Sequence, residues 1–87
     1  NLKDKFEAFG WKVLEIEDGN DMESVLEGLK KAKSETGKGK PVCILMHTEM
    51  GNGVDFMMGT HAWHGKAPND ELLESALAQN QETLGDY

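Results

Sequence analysis

All three histidines of this 87-residue chain fall between positions 47 and 64, close to its single cysteine, Cys43. His61 and His64 are three apart with His47 upstream, a spacing that raises an imidazole metal site. Zinc asks for a third or fourth ligand. His47, Asp55 or Cys43 could supply one, but Cys43 lies inside an apolar run and the spacing matches no standard finger, so ligand count argues against a metal. The competing reading of His61 is a loop-packing imidazole satisfied by backbone groups, and that reading weighs more heavily still for His47. His64 stands between Trp63 and Gly65, where an indole can wall one side and a glycine lets a ligand come close. An imidazole so placed can donate to an oxygen that gains charge or exchange a proton near neutral pH. Residue chemistry alone leaves that role level with a structural one.

Gly51-Asn52-Gly53 lets backbone approach a ligand and present N–H groups to an anion, and it also fits an ordinary turn, which is the commoner use of a lone Gly-x-Gly. No helix opens directly after it, so it matches neither phosphate-binding loop that requires one. Met46, Met50, Met57 and Met58 read as gap-filling apolar contacts rather than a metal-binding tract.

The elements that must hold these residues show as changes of hydrophobic period. Leu2, Phe6 and Phe9 recur at helical spacing, with Gly10 as the stop. Trp11 to Glu17 crowds Trp11, Val13, Leu14 and Ile16 ahead of Asp18-Gly19-Asn20, which reads as a strand and turn. Asn20 or Asp21 can cap an amphipathic helix whose apolar face is Met22, Val25, Leu26, Leu29 and Ala32. Glu23 and Lys30, Lys31 and Lys33 complement its dipole, and Gly37 can end it. Pro41 introduces the continuous run Val42 to Met46, which predicts a strand covered on both faces, as in parallel sheets. Strand, helix, strand then implies an α/β unit with a right-handed crossover. Asn69 or Asp70 can cap a last helix carrying Leu72, Leu73, Ala76 and Leu77. Residues 47–69 between these pieces show no period. A loop that long is usually functional or disordered, and it starts at the strand edge where parallel sheets place ligands.

Apolar residues make up 38% and charged ones 29%, a globular composition in a length that holds one core or part of one. The longest apolar run, Val42 to Met46, is far short of the roughly 20 residues of a membrane span. The lone cysteine fits a reducing, cytoplasmic setting, and nothing near Asn1 resembles a signal peptide. A first residue other than methionine points to a truncated chain. The net charge is −7; residues 1–40 hold eight of the nine basic side chains against nine acidic ones, while 41–87 hold only Lys66 against seven carboxylates. All nine are lysines, so there is no guanidinium to fork onto a phosphate or a guanine, and nucleic acid is not expected as a partner.

Thr48-Glu49-Met50-Gly51-Asn52-Gly53 and Gly59-Thr60-His61-Ala62-Trp63-His64-Gly65-Lys66-Ala67-Pro68 resemble the end of the thiamine-diphosphate-binding domain of transketolases. Phe6-Glu7-Ala8-Phe9-Gly10-Trp11-Lys12-Val13 is similar to the family's segment entering a late strand of that domain, and Lys40-Pro41 before a strand is typical of it. The likeness spans nearly the whole chain and is greatest to the split bacterial form. It implies that residues 1–87 are a C-terminal fragment of a parallel-sheet thiamine-diphosphate-binding fold, with 47–69 as its cofactor and substrate loop. It further implies a ketol transfer from a ketose phosphate to an aldose phosphate, in the cytoplasm and the pentose phosphate pathway. The resemblance makes His64 the catalytic residue, in contact with the cofactor diphosphate and the substrate, and makes Met50, Gly51 and His64 cofactor-binding.

The family's metal motif, a Gly-Asp-Gly followed by an asparagine, does not occur here, so the ligands of a magnesium or calcium ion would lie outside this chain. The pyrimidine-binding domain is missing too. The chain alone is therefore expected to be inactive, with sugar phosphates, the remaining transketolase domains or subunit, and a second copy in the intact enzyme as partners; neither nucleic acid nor membrane is expected. Glu49 stands where an apolar residue is common, and a carboxylate beside a diphosphate would repel it unless turned away. The alternatives are another thiamine-diphosphate enzyme, namely a phosphoketolase, a dihydroxyacetone synthase or a deoxyxylulose-phosphate synthase relative, and a small metal module built on His47, His61 and His64.

Overall fold

A computed structural model describes residues 1–80 of the chain, so residues 81–87 of the expected domain lie outside the described residues. The chain divides into two compact units, residues 1–48 and 49–87. The first holds four elements in the order α1 (Leu2–Ala8), β1 (Lys12–Ile16), α2 (Met22–Glu35) and β2 (Val42–Met46). The second holds a long turn-rich segment and α3 (Asp70–Gln79).

The strands pair in parallel, Lys12 with Val42 through Ile16 with Met46. The ladder runs past both ends: the Lys12 N–H donates to the Pro41 carbonyl at 2.8 Å, and the His47 N–H donates to the Ile16 carbonyl at 3.0 Å. The Gly19 N–H then donates to the His47 carbonyl at 2.7 Å, tying the turn after β1 to the end of β2. A Cβ at Gly19 would lie 2.8 Å from Thr48 Cγ2 and 2.9 Å from the His47 carbonyl oxygen, so only glycine lets these backbones meet.

Side chains alternate along β1, and the two helices use that alternation. Ile16 packs on α2, where its Cδ1 fills the space a Cβ at Gly28 would need. Glu15, on the opposite face, reaches α1 through a 3.2 Å ion pair with Lys3. That carboxylate, by hydrogen bond and by charge, holds the Lys3 ammonium above its usual pKa, and Glu7 adds to the effect. The core of this unit is Val13, Leu14, Ile16 and Ala32.

Local chemistry sets the helix ends. Asp18 accepts the N–H groups of both Asn20 and Asp21 at 3.1 Å, which leaves the Asp21 carboxylate to cap α2 by accepting the Ser24 N–H at 2.8 Å. The Ser24 hydroxyl and backbone N–H hold the Asp21 carboxyl below its usual pKa. Asn69 caps α3 through Leu72. Gly10 and Gly37 follow α1 and α2 with φ of +86° and +76°, the left-handed turn that ends a helix.

Two expectations are corrected. Among the described residues the sheet has two strands, and β2 is half-buried with Met46 exposed rather than covered on both faces. On α2, Met22, Leu26 and Leu29 are 69%, 48% and 51% exposed, and only Ala32 is fully buried. The helix meets β1 along the line of Gly28 and Ala32 because glycine and alanine allow the closest backbone approach. That contact turns the leucines outward. No helix among the described residues is long and apolar enough to cross a membrane.

Candidate functional site

Of the residues assigned to the 47–69 loop, His47 and Thr48 belong to the first compact unit. His47 continues the ladder, and its exposed ring has Nε2 3.8 Å from Glu15 Oε1. This is an electrostatic contact with a protein carboxylate. Asp55, the second candidate ligand, is also engaged. Its Oδ1 accepts from the Phe56 N–H at 2.7 Å and from Gln79 Nε2 at 2.9 Å, while its own N–H donates to Gln79 Oε1 at 2.8 Å. Cys43 is a half-buried free thiol within β2. Among the described residues no group of three His, Cys, Asp or Glu side chains could hold a metal ion, so a module of His47, His61 and His64 is not favoured.

Met50, Gly51, His61 and His64 all lie in the second unit. Gly51 has φ +70°, and a Cβ there would sit 2.6 Å from Met57 Cβ and 2.7 Å from the Met57 carbonyl oxygen. Its carbonyl accepts the Val54 N–H, and the Val54 carbonyl in turn accepts from Met57 and Met58. Val54 is buried at the centre of this turn. Gly51 therefore has a structural duty within its own loop. Met50 is 48% exposed, open to a ligand and not a packed gap-filler.

Trp63 packs edge-on against Phe56 at 5.3 Å between ring centroids, and the Lys66 ammonium lies 4.9 Å from the centre of its ring. Such a cation over an indole is held by the ring quadrupole. The segment between Trp63 and Lys66 is short and braced at both ends, and it carries His64 and Gly65. Both are exposed, the His64 N–H donates to the His61 carbonyl at 3.1 Å, and a Cβ at Gly65 would meet nothing within 4 Å. No hydrogen bond, ion pair or ring contact among the described residues engages the His64 or His61 side chain.

The donors here are an unpartnered imidazole, an ammonium two residues on, and the Gly65 and Lys66 N–H groups, which no described acceptor takes. This set suits an anion. Two nearby carboxylates are turned to the protein's own backbone: Asp55 as above, and Glu49, whose Oε1 accepts from the Gly59 N–H at 2.8 Å. Phe56, Lys66, Gln79 and Glu49 are the contributors that pattern reading missed. Their partners lie 7, 3, 24 and 10 positions away in sequence, and only the three-residue Trp63 to Lys66 step was open to sequence inspection.

Comparison with known proteins bears directly on this loop. Residues 1–85 match the family model described as transketolase, thiamine diphosphate binding domain. The chain belongs to that family. It is 34% identical over 84 residues to one of the two-part enzymes, an apulose-4-phosphate transketolase subunit of Phocaeicola vulgatus, covering 97% of this chain and 29% of that protein. It is 38% identical over 80 residues to the transketolase of Staphylococcus aureus, covering 92% of this chain and 12% of that protein. A 6-deoxy-6-sulfo-D-fructose transketolase subunit of a Clostridium species is 36% identical over 78 residues, 90% of this chain and 27% of that protein. The chain thus spans less than a third of the length of these relatives. No solved structure matches it. Family membership agrees with the resemblance read from the Thr48–Gly53 and Gly59–Pro68 motifs and with the α/β fold, and thiamine diphosphate is the cofactor the family's domain binds.

Proposed function

We propose that this chain forms part of a transketolase, in which residues 47–69 supply one wall of the cofactor site and His64 donates to the cofactor diphosphate and to the substrate. One observation carries the reading: an exposed imidazole with no partner among the described residues sits beside an open glycine, on a segment braced by Trp63 and Lys66. When bound, thiamine diphosphate supplies the carbon nucleophile for moving a two-carbon ketol unit. The protein's part is positioning and charge. His64 donates a hydrogen bond to the oxygen on which negative charge develops, the point where a fixed donor contributes most. Gly65 leaves room for the ligand, Lys66 adds positive charge beside the diphosphate, and Met50 offers an apolar surface. Gly51 shapes the turn that presents Met50.

The described residues do not fit a divalent metal, so the magnesium or calcium ion of the complete site is assigned to residues beyond this chain. Two relatives are named as subunits, which supports a partner polypeptide or domain that completes the site, and a homo-oligomeric whole. Sugar phosphates are the substrates in this reading, the cytoplasm and the pentose phosphate pathway its setting, and the chain by itself is inactive.

The test is His64→Ala in the full-length protein, assayed with a ketose phosphate donor and an aldose acceptor. Loss of one such donor lowers turnover about 100-fold or more. An exposed side chain of this kind changes stability by no more than about 0.5 kcal/mol. Parallel losses of turnover and melting temperature would make His64 structural and overturn the reading.

A further inference from the structure

Glu49 breaks the expected pattern of the family, and the structure gives its carboxylate a different task. Its Oε1 takes the Gly59 N–H at 2.8 Å and so joins two residues ten apart. Between them Gly51 backs onto Met57, Val54 is buried, and three backbone N–H groups turn inward to the Gly51 and Val54 carbonyls. A surface loop of this length, joined at its ends and filled by its own residues, is an Ω-type loop. Gly59 opens the stretch that carries Thr60, His61, Trp63 and His64. It has φ +67°, and no atom lies within 4 Å of where its Cβ would be, so no packing against a side chain holds it. Its hydrogen bond to Glu49 is what anchors it.

We propose that Glu49 is a positioning residue. Its carboxylate fixes the Gly59 N–H and thereby the point from which the His64 segment leaves the loop, and it does so while facing backbone rather than ligand. The proposal deepens the cofactor-site reading and takes its functional meaning from it. It also accounts for a carboxylate in a loop meant for a diphosphate, since an oxygen bound to Gly59 is directed away from the anion.

The test compares Glu49→Ala, which removes the acceptor, with Glu49→Gln, which keeps a carbonyl oxygen in its place, both in the full-length protein. Hydrogen exchange is followed in the peptide containing Gly59, the ring resonances of His64 are followed by NMR with labelled histidine, and thiamine diphosphate affinity is titrated. Glu49→Ala is expected to speed exchange at Gly59 about tenfold, the low end for a hydrogen bond to a charged group, and to weaken cofactor binding by a similar factor. The His64 signals shift, exchange in β1 and β2 stays as in wild type, and Glu49→Gln recovers most of each effect. Unchanged Gly59 exchange and unchanged His64 signals in Glu49→Ala overturn the proposal, whatever the affinity does. If the wild-type protein binds no thiamine diphosphate while the Gly59 and His64 responses occur, the positioning role stands and the cofactor reading fails.

Discussion

Gly51→Ala separates two reasons for having glycine in this loop. The substitution forces an L side chain into φ +70°, and it places a Cβ 2.6 Å from Met57 Cβ and 2.7 Å from the Met57 carbonyl oxygen. The left-handed backbone costs an alanine about 1 kcal/mol. The overlap adds about 1–3 kcal/mol, because one of its partners is backbone and cannot rotate away. Together they destabilise the loop by about 2–4 kcal/mol, which is roughly 30-fold to 1000-fold in the opening equilibrium at 1.4 kcal/mol per tenfold. The assay is hydrogen exchange at Val54, Met57 and Met58, whose N–H groups are bound inside this turn. Gly51→Asn provides the control: asparagine tolerates positive φ but carries the same Cβ, so it should recover only the backbone part, about 1 kcal/mol. Full protection of these three amides in Gly51→Ala, combined with lost thiamine diphosphate binding in the full-length protein, would refute this account. Gly51 would then be present for the ligand and not for Met57.

Gly28→Ala should destabilise the first unit by about 1 kcal/mol net, since overpacking against Ile16 outweighs the helix propensity gained; pairing it with Ile16→Val should offset much of that loss in denaturant melts. Asp21 gives a pH dependence of known sign. Its carboxyl lies below its usual pKa when folded, so its capping contribution is complete above the ordinary carboxylate value of about 3.9 and is lost as pH falls through the lower folded value. Helix signal by circular dichroism between about pH 5 and pH 2 should therefore fall more for wild type than for Asp21→Ala, whose helix is weaker throughout.

The five elements were legible because their signals are local. Period, cap and stop residues for α2 all lie within a few positions of one another, and the choice between Asn20 and Asp21 as its cap is decided by Asp18, whose side chain takes both neighbouring N–H groups. Exposure was less legible. A stripe such as Met22, Leu26 and Leu29 shows which face of a helix is apolar, but the pattern does not contain what covers it, and here the small residues Gly28 and Ala32 set the contact line instead. The same holds for β2, whose unbroken apolar run predicts burial that a two-stranded sheet cannot provide. In the candidate site, His64 and Gly65 were legible from residue type and motif. The devices that hold them were not, because Glu49 with Gly59 and Asp55 with Gln79 pair across turns that leave no periodic trace.

The two tryptophans are distributed one to each compact unit, and each has an aromatic neighbour in its own unit: Trp11 with Phe6 at 5.8 Å and Trp63 with Phe56 at 5.3 Å. Intrinsic fluorescence therefore arrives already divided. A Trp63→Phe variant emits only from the β1 side, and a Trp11→Phe variant emits only from the turn that holds His64. Quenching or recovery of the second emission reports on that loop without any introduced dye.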